Sequence, residues 1–502
     1  MSFRGRGYKV VLCLVALACL CGAGVTQRML NVDREKMGFG KLEPLHNAPP
    51  VLAFTTVALG GFRGLIANAL WIRATELQDD NKFFEMVQLA DWITKLQPHM
   101  VQVWCVQAWN MAYNISVKFK SPEDRWFWVQ RGIQLLRDDG IRYNTNQTLI
   151  YRDLSWIYQH KIGANLDDAH MIYKLHLAQQ MQEIFPDGHA HTNELIHPPD
   201  AVWKKRAEDL ENVYKMDPAI VARVDDEYGP LDWRLPGAYA VYWAEMGRIH
   251  AEPKDQETLR RSVFQTMRET CFIGGGLPAS VTNVTADNFF LRPNLNLVPK
   301  ICATYEKMIN EEKDQGQKES FINAEKNFIK EAVPLLYVDD QQAKAAYWYK
   351  YLKAHFTRIF NPQDENLTVE QYVIKTLTED MGETDQYKVT AGLIGLIDSE
   401  YLCLIFGEDD KVENAHALTQ RLWDHYEKGI ETAKPRLYIP PLSYLRQIAL
   451  ADLLNPETSR ISAVDRGILR TRLGMPADGV VVAPTHAAMP ETNQVSLPDI
   501  TK

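Results

Sequence analysis

The stretch VQVWCVQAWNMAYNISV, residues 101–117, decides the fold class of this chain. Its apolar residues recur at steps of three and four, which is the spacing of one face of an α-helix. Trp104 is followed one turn later by Ala108, and a small side chain after a large one lets a partner helix approach closely. The stretch therefore predicts a helix that packs tightly against a neighbouring helix.

The same arrangement returns 47 residues later, where Tyr151 precedes Ser155 within NQTLIYRDLSWIYQHKIG, residues 146–163. Helical periodicity continues on both sides, and the loops between successive helices are short. Such loops force neighbouring helices to pack antiparallel. The other helices that the sequence predicts are 51–72, 83–98, 124–144, 166–185, 200–216, 238–251, 256–271, 297–311, 318–332, 339–357, 368–380, 385–406, 411–432, 441–454 and 462–472.

A large residue followed by a small one in each helical pair is typical of tetratricopeptide repeats, and Pro98 matches the proline that closes such repeats. Residues 65–185 therefore resemble the tetratricopeptide repeat superfamily in a degenerate, lengthened form. The resemblance implies an all-α fold of antiparallel helical hairpins, stacked as an α-solenoid that binds partners on a concave face. More loosely, the leader together with GGFRG and LADWITKLQP resembles uncharacterised membrane-anchored bacterial repeat proteins, from which no activity carries over.

A membrane segment is predicted near the N-terminus. Three basic residues precede VVLCLVALACLCGAGV, an uncharged run from 10 to 25. A secretory signal has about 7–15 apolar residues in this place, whereas a spanning helix needs about 17 or more. The preferred interpretation is an uncleaved anchor in the inner (cytoplasmic) membrane, with its basic end inside and the bulk of the chain extracytoplasmic, in the periplasm.

Other interpretations of this run remain open. The small residues at 22–24 are compatible with cleavage of a signal peptide, although they do not form a clean cleavage site. Lipidation at Cys19 or Cys21 and a buried helix of a cytosolic protein are further alternatives. The apolar segment 51–72 has Arg63 at its centre, which is costly inside a bilayer. A buried helix is therefore preferred there over an interfacial or re-entrant segment.

The composition is that of a globular chain. It has 502 residues, of which 46% are hydrophobic and 24% charged, and its net charge of −9 makes nucleic acid a poor partner. The predicted organisation is a signal anchor or signal peptide at 1–26, a linker at 27–50, tetratricopeptide-like repeats at 51–186, an irregular helical insert with long loops at 187–296, a C-terminal helical domain at 297–474 and a disordered tail at 475–502.

Two loops carry candidate site residues. His189, His191 and His197 lie close together in sequence, and imidazoles at such spacing suit zinc or copper. No further ligand motif accompanies them, so a polar surface loop is the preferred interpretation and no metal or cofactor is predicted.

Tyr228, Asp232, Trp233 and Arg234 form this second candidate, within EYGPLDWRLPGAYAVYWAE at 227–245. The prolines stiffen the loop, Arg234 can form a fork to a carboxylate, and Trp233 can stack on a partner. The competing interpretation is structural, with Asp232 and Arg234 bracing the loop and Trp233 filling a gap between helices.

The sequence contains no catalytic motif. The glycines at 274–276 lack the Lys-Ser/Thr of a phosphate loop, there is no GxSxG, and no catalytic residue is predicted. The sequence therefore predicts a membrane-tethered, extracytoplasmic helical-repeat scaffold that binds protein partners in an envelope assembly or as an adaptor. The alternative is an all-α enzyme or metal-binding protein that acts on a sugar or peptide.

Overall fold

The structure is a computed structural model. It describes residues 62–250, 256–277, 284–286, 289–356, 366–381, 386–433, 439–457 and 459–476, with 15, 18–19, 21–30 and 32–33 near the N-terminus. Every regular element in these ranges is helical, and the one extended pairing in them is an isolated antiparallel bridge between Gly276 and Arg292. The predicted all-α fold class is therefore confirmed.

The first six labelled helices lie in the region of the predicted repeats. They are α1 (Phe62–Asp79), α2 (Phe83–Leu96), α3 (Val101–Trp109), α4 (Pro122–Gln134), α5 (Thr148–Trp156) and α6 (His170–Met181). Side-chain caps explain where several helices begin. The Ser121 hydroxyl, for example, accepts a hydrogen bond from the backbone N–H of Asp124 at the start of α4.

Three of these helices do not end as α-helices. α3 continues as a π-helical turn at Asn110–Ile115, α4 at Leu135–Gly140 and α5 at Ile157–Gly163. The π-helical turns that follow α3 and α5 begin 47 residues apart, the offset that the sequence repeat predicts. A π-helical turn is rare and changes the direction of the side chains that follow it. Periodicity alone did not predict these turns.

The remaining α-helices of five or more residues are α7 (Thr192–Ile196), α8 (Ala201–Asn212), α9 (Pro218–Tyr228), α10 (Pro236–His250), α11 (Gln256–Ile273), α12 (Val298–Glu311), α13 (Gln315–Val338), α14 (Gln342–His355), α15 (Val369–Met381), α16 (Gln386–Phe406), α17 (Asp409–Ala433), α18 (Leu442–Leu454) and α19 (Ala463–Arg472). Helix α9 was not predicted from the sequence. Its signal is Asp217, which caps the backbone N–H of Ala219, followed by Pro218 in the first turn.

The close approach predicted at the small residues is confirmed. Gly132 of α4 lies so near α3 that a Cβ atom on it would be 2.8 Å from the carbonyl oxygen of Ala108. At the equivalent place in α5, the Ser155 hydroxyl donates to the carbonyl oxygen of Ala240 at 2.7 Å. Ala240 belongs to α10, so the close neighbour at Ser155 comes from within the predicted irregular insert at 187–296 rather than from the next helix.

Helices that follow one another in sequence pack as pairs through much of the chain. α10 packs on α11, α13 on α14 and α16 on α17, and α10 also covers α5. One connected apolar core extends from Val101 to Leu469, while α1 and α2 enclose two smaller clusters. Many packed helices in this order are compatible with a helical-repeat solenoid. The domain boundaries stay predictions.

Half of the residues in the predicted membrane run at 10–25 lie outside the described residues. Residues 21–30, which are described, are helical and exposed. Elsewhere in the described chain one helix, α16, is long and apolar enough to cross a membrane. This is only weak support for a span, because Leu393 and Ile397 of α16 are fully buried in the core. Residues 51–61 of the predicted first helix and 477–502 of the predicted tail also lie outside the described residues.

Candidate functional site

The two loops that the sequence singles out meet in the structure. Gly188, with a φ of +86°, lies so close to Asp232 and Arg234 that a Cβ atom on it would collide with both side chains. The backbone N–H of Trp233 donates to the carbonyl oxygen of Gly188 at 2.8 Å. The histidine-containing loop is therefore held against the second loop, and a glycine is required where they touch.

The second loop is braced from within. The Arg234 guanidinium donates to both carboxylate oxygens of Asp232, at 2.9 and 2.8 Å. The indole N–H of Trp233 donates to Asp225, and the Tyr228 hydroxyl donates to Glu245. The residues Tyr228, Trp233 and Arg234 are at most 3% exposed. These contacts are the ones expected if the residues brace the loop and fill a gap between helices. A partner-binding role for these residues stays a prediction.

The histidines do not converge. His191 Nε2 lies 2.7 Å from an Asp187 carboxylate oxygen, while the rings of His189 and His191 are 6.4 Å apart. His197 is exposed. Among the described residues, no group of three or more His, Cys, Asp or Glu side chains is placed to hold a metal ion.

A different set of side chains forms a connected aromatic group at the ends of α3 and α5. Trp109 stacks on Tyr113 with a ring separation of 4.0 Å, and Trp156 stacks on His160 at 4.6 Å. The Tyr113 hydroxyl is 3.3 Å from His160 Nδ1 and joins the two pairs. We call these four residues the aromatic face. Trp109 and Trp156 are the last residues of α3 and α5, so the π-helical turns place the second member of each pair.

The surroundings of Tyr113 and His160 favour the neutral form of each side chain. Burial, reinforced by the nearby Asp153, raises the pKa of the Tyr113 phenol. Burial lowers the pKa of His160, an effect that Glu269 opposes. A neutral imidazole can accept the hydroxyl hydrogen of Tyr113 at Nδ1. The face therefore combines flat apolar rings with one uncharged hydrogen-bonding pair.

A cluster of buried charged side chains lies next to the aromatic face. Lys161 is 5% exposed, and its Nζ contacts Asp167 Oδ2 at 2.6 Å while lying 5.3 Å from the Tyr113 ring centroid. Arg125 and Tyr173 also bind the Asp167 carboxylate. Burial would raise the pKa of Asp167, but hydrogen bonds from Lys161 and the Ala169 backbone outweigh it and lower that pKa to about 2. This cluster holds the π-helical turn that follows α5.

A cavity of about 180 Å³ opens beside the face. Its lining comes from Gln159 and residues 163–165, from Lys174 of α6, from the start of α10 and from the last two turns of α11 with the glycines that follow it. Gln159 donates to Glu269 at 3.0 Å and connects the cavity to the neighbourhood of His160. Glycines make this close assembly possible, since a Cβ atom on Gly237 or Gly275 would collide with Thr270.

Lys174 is the most unusual group in this lining. It is 3% exposed, and its Nζ lies 3.1 Å from Asn165 Oδ1 and 2.7 Å from His170 Nδ1. Burial lowers the pKa of Lys174 to about 8. Burial also lowers the pKa of His170, and the charge of Lys174 lowers it further. His170 is therefore the neutral acceptor of this pair.

No family model, no curated protein and no solved structure matches the chain, so no known protein indicates a role for these sites. Neither the aromatic face nor the cavity was among the sites predicted from the sequence. A signal for the first was present. The 47-residue offset that aligns Trp104 with Tyr151 also aligns Trp109 with Trp156. No comparable local signal marks Lys174.

Proposed function

We propose that this chain is a membrane-tethered, extracytoplasmic interaction module built from tetratricopeptide-like helical repeats, and that it binds protein partners through the aromatic face. The basic N-terminus followed by the apolar run at 10–25 supports the tether. Consecutive packed helix pairs and the 47-residue recurrence of an α-helix followed by a π-helical turn support the repeats. In this proposal the chain acts by presenting a preformed surface to its partner.

One observation carries the binding site: two successive repeats present a stacked aromatic pair, and a hydrogen bond joins the pairs. Trp109 is 44% exposed, although tryptophan has the largest side chain of all amino acids and is usually well buried. Trp and Tyr are over-represented among the residues that dominate protein–protein binding energy. Because stacking already restricts these rings, a partner would bind them with little additional loss of side-chain entropy.

The loop containing Asp232 and Arg234 has a supporting role in this proposal. Its ion pair and the burial of Trp233 hold the start of α10, and α10 covers α5, which carries Trp156. Changes in this loop would then alter binding only through the stability of α10 and α5. This separates loop variants from variants of the aromatic face itself.

The test of partner binding uses cross-linking and affinity purification from native membranes, with wild type compared against Trp109→Ala and Trp156→Ala. Tyr347→Ala is the matched control, since Tyr347 of α14 is 61% exposed and lies outside the aromatic face. We expect a defined protein to be captured by the wild type and the control and lost from both tryptophan variants. With the purified partner, each loss should weaken binding by about 2 kcal/mol or more. Equal capture by all four proteins contradicts the proposal.

The tether has its own test. Leu14→Arg and Leu17→Arg place charges inside the apolar run, where each costs about 2.5–3.5 kcal/mol at the centre of a spanning helix. We expect the wild type to stay with the membrane after alkaline extraction and the double variant to be released. A mature wild-type protein that begins near residue 25 by mass spectrometry would show instead that the run is a cleaved signal.

A further inference from the structure

The cavity beside α5 is lined by two side chains of opposite charge that do not pair with each other. Lys174 donates to Asn165 and His170, both neutral, and no carboxylate pairs with it in the described part of the chain. Lysines are almost never buried to this degree without a partner of opposite charge. Two of the three ammonium hydrogens have acceptors within the protein, which leaves one for a group in the cavity.

The second charged group is Glu269 of α11. Its carboxylate accepts hydrogen bonds from the side-chain amides of Gln159 at 3.0 Å and Gln265 at 3.1 Å. Within the described ranges, no Lys or Arg forms an ion pair with it. Side-chain amides orient a carboxylate without neutralising its charge. Among the described residues, neither Lys174 nor Glu269 therefore has an ion-pair partner in the cavity lining.

Two helix C-termini add partial negative charge to the cavity lining. The π-helical turn after α5 ends at Gly163, and α11 ends at Ile273, and both residues line the cavity. The carbonyl groups at a helix C-terminus carry a partial negative charge that favours a cation. Lys174 alone would suit a simple carboxylate, but Glu269 and these helix ends call for a ligand that also carries a cationic group.

We propose that this cavity binds a small α-amino acid as its zwitterion. The ligand carboxylate accepts a hydrogen bond from Lys174, and the ligand ammonium pairs with Glu269. The cavity volume of about 180 Å³ suits a ligand with a small side chain, such as that of alanine or serine. The proposal is independent of partner binding at the aromatic face.

The experiment is calorimetric titration and thermal unfolding of the full-length protein in detergent, with three probes. L-alanine carries both charges, propionate carries only the carboxylate, and ethylamine carries only the ammonium. We expect binding and a concentration-dependent rise in Tm with L-alanine, and much weaker effects with the other two. Removing one charge-assisted hydrogen bond should weaken the affinity for L-alanine about 10–100-fold in Lys174→Met and in Glu269→Gln.

Glu257→Gln, near the other end of α11, is the control for the charge change and should bind L-alanine like the wild type. Ala164→Phe fills the cavity without changing either charged residue, and it should also abolish binding of L-alanine. This variant keeps the test decisive if Lys174→Met does not fold. The proposal is overturned by wild-type protein that does not respond to L-alanine, or by a response that survives Ala164→Phe. It is also overturned if propionate binds as well as L-alanine and Glu269→Gln has no effect.

Discussion

Tyr113 and His160 are 47 residues apart in sequence, yet the Tyr113 hydroxyl lies 3.3 Å from His160 Nδ1. Each residue occupies the same position in a π-helical turn that continues an α-helix ending in Trp. The contact therefore joins equivalent points of two helices that each continue as a π-helical turn. If the proposed partner binds here, it touches both turns at once, and its affinity depends on the packing that holds them together.

The first prediction concerns the close approach of α3 and α4. Gly132→Ala should lower the free energy of unfolding by about 1–3 kcal/mol, since the new methyl group would lie 2.8 Å from the Ala108 carbonyl oxygen. Gly395→Ala is the control, because a Cβ atom there has nothing within 4 Å. It should be neutral or stabilise the helix by up to about 1 kcal/mol. Urea titration of both variants measures the difference, and equal effects would argue against tight packing at Ala108.

The second prediction concerns the ion cluster beneath the aromatic face. Asp167→Asn should destabilise the protein by about 3–5 kcal/mol, because it leaves the buried Lys161 without a counter-charge. The adjacent Asp168 also contacts Arg125, but its side chain is 82% exposed. Asp168→Asn should therefore cost less than about 1 kcal/mol. Chemical denaturation at neutral pH compares the two, and a loss at Asp168 as large as that at Asp167 would disagree with the structure.

The third prediction concerns a carboxyl group in α13. Glu325 is 3% exposed, and its Oε1 has no hydrogen-bond partner in the described structure. Burial, with a contribution from Glu306, raises its pKa from 4.5 to about 7. The folded state therefore holds a proton that the unfolded state has released. Its contribution to stability is fully present below pH 4.5 and is lost as pH rises through about 7.

Glu325→Gln keeps the neutral form at every pH. At pH 8 this variant should be more stable than the wild type by about 1–3 kcal/mol, and the difference should shrink towards pH 5. The exposed Glu319 of the same helix provides the control variant Glu319→Gln, which should follow the wild-type pH profile. Thermal unfolding across this pH range measures the effect, and a constant difference between Glu325→Gln and wild type would show that the carboxyl group does not titrate as described.

The fourth prediction concerns thiol reactivity. Cys105, Cys271, Cys302 and Cys403 are buried free thiols, and burial is the main cause that raises the pKa of each. Because the thiolate is the reactive form, all four should react with iodoacetamide slowly in the native protein and rapidly in denaturant. Peptide mapping by mass spectrometry identifies the modified sites. Rapid native labelling of any of the four would contradict its placement in the core.

The amino-acid sequence by itself determined the fold class and most of the helices. Helix α5, for example, depends on a three- and four-residue periodicity within a single segment, and α4 begins where Ser121 can cap it. Such information is local and can be read from one stretch of chain. The same holds for the 47-residue offset and for the small residues at which helices approach closely.

Only the tertiary structure decided which side chains face outward and which line the cavity. Trp104 and Trp109 belong to the same helix, yet Trp104 is 4% exposed and Trp109 is 44% exposed. Lys174 looks in sequence like any lysine of an amphipathic helix. It lines the cavity together with residues of α10 and α11, which are distant along the chain. The physical reason is that exposure and electrostatic environment are set by groups brought together through long-range packing, whereas helix formation depends mainly on neighbours within a few residues.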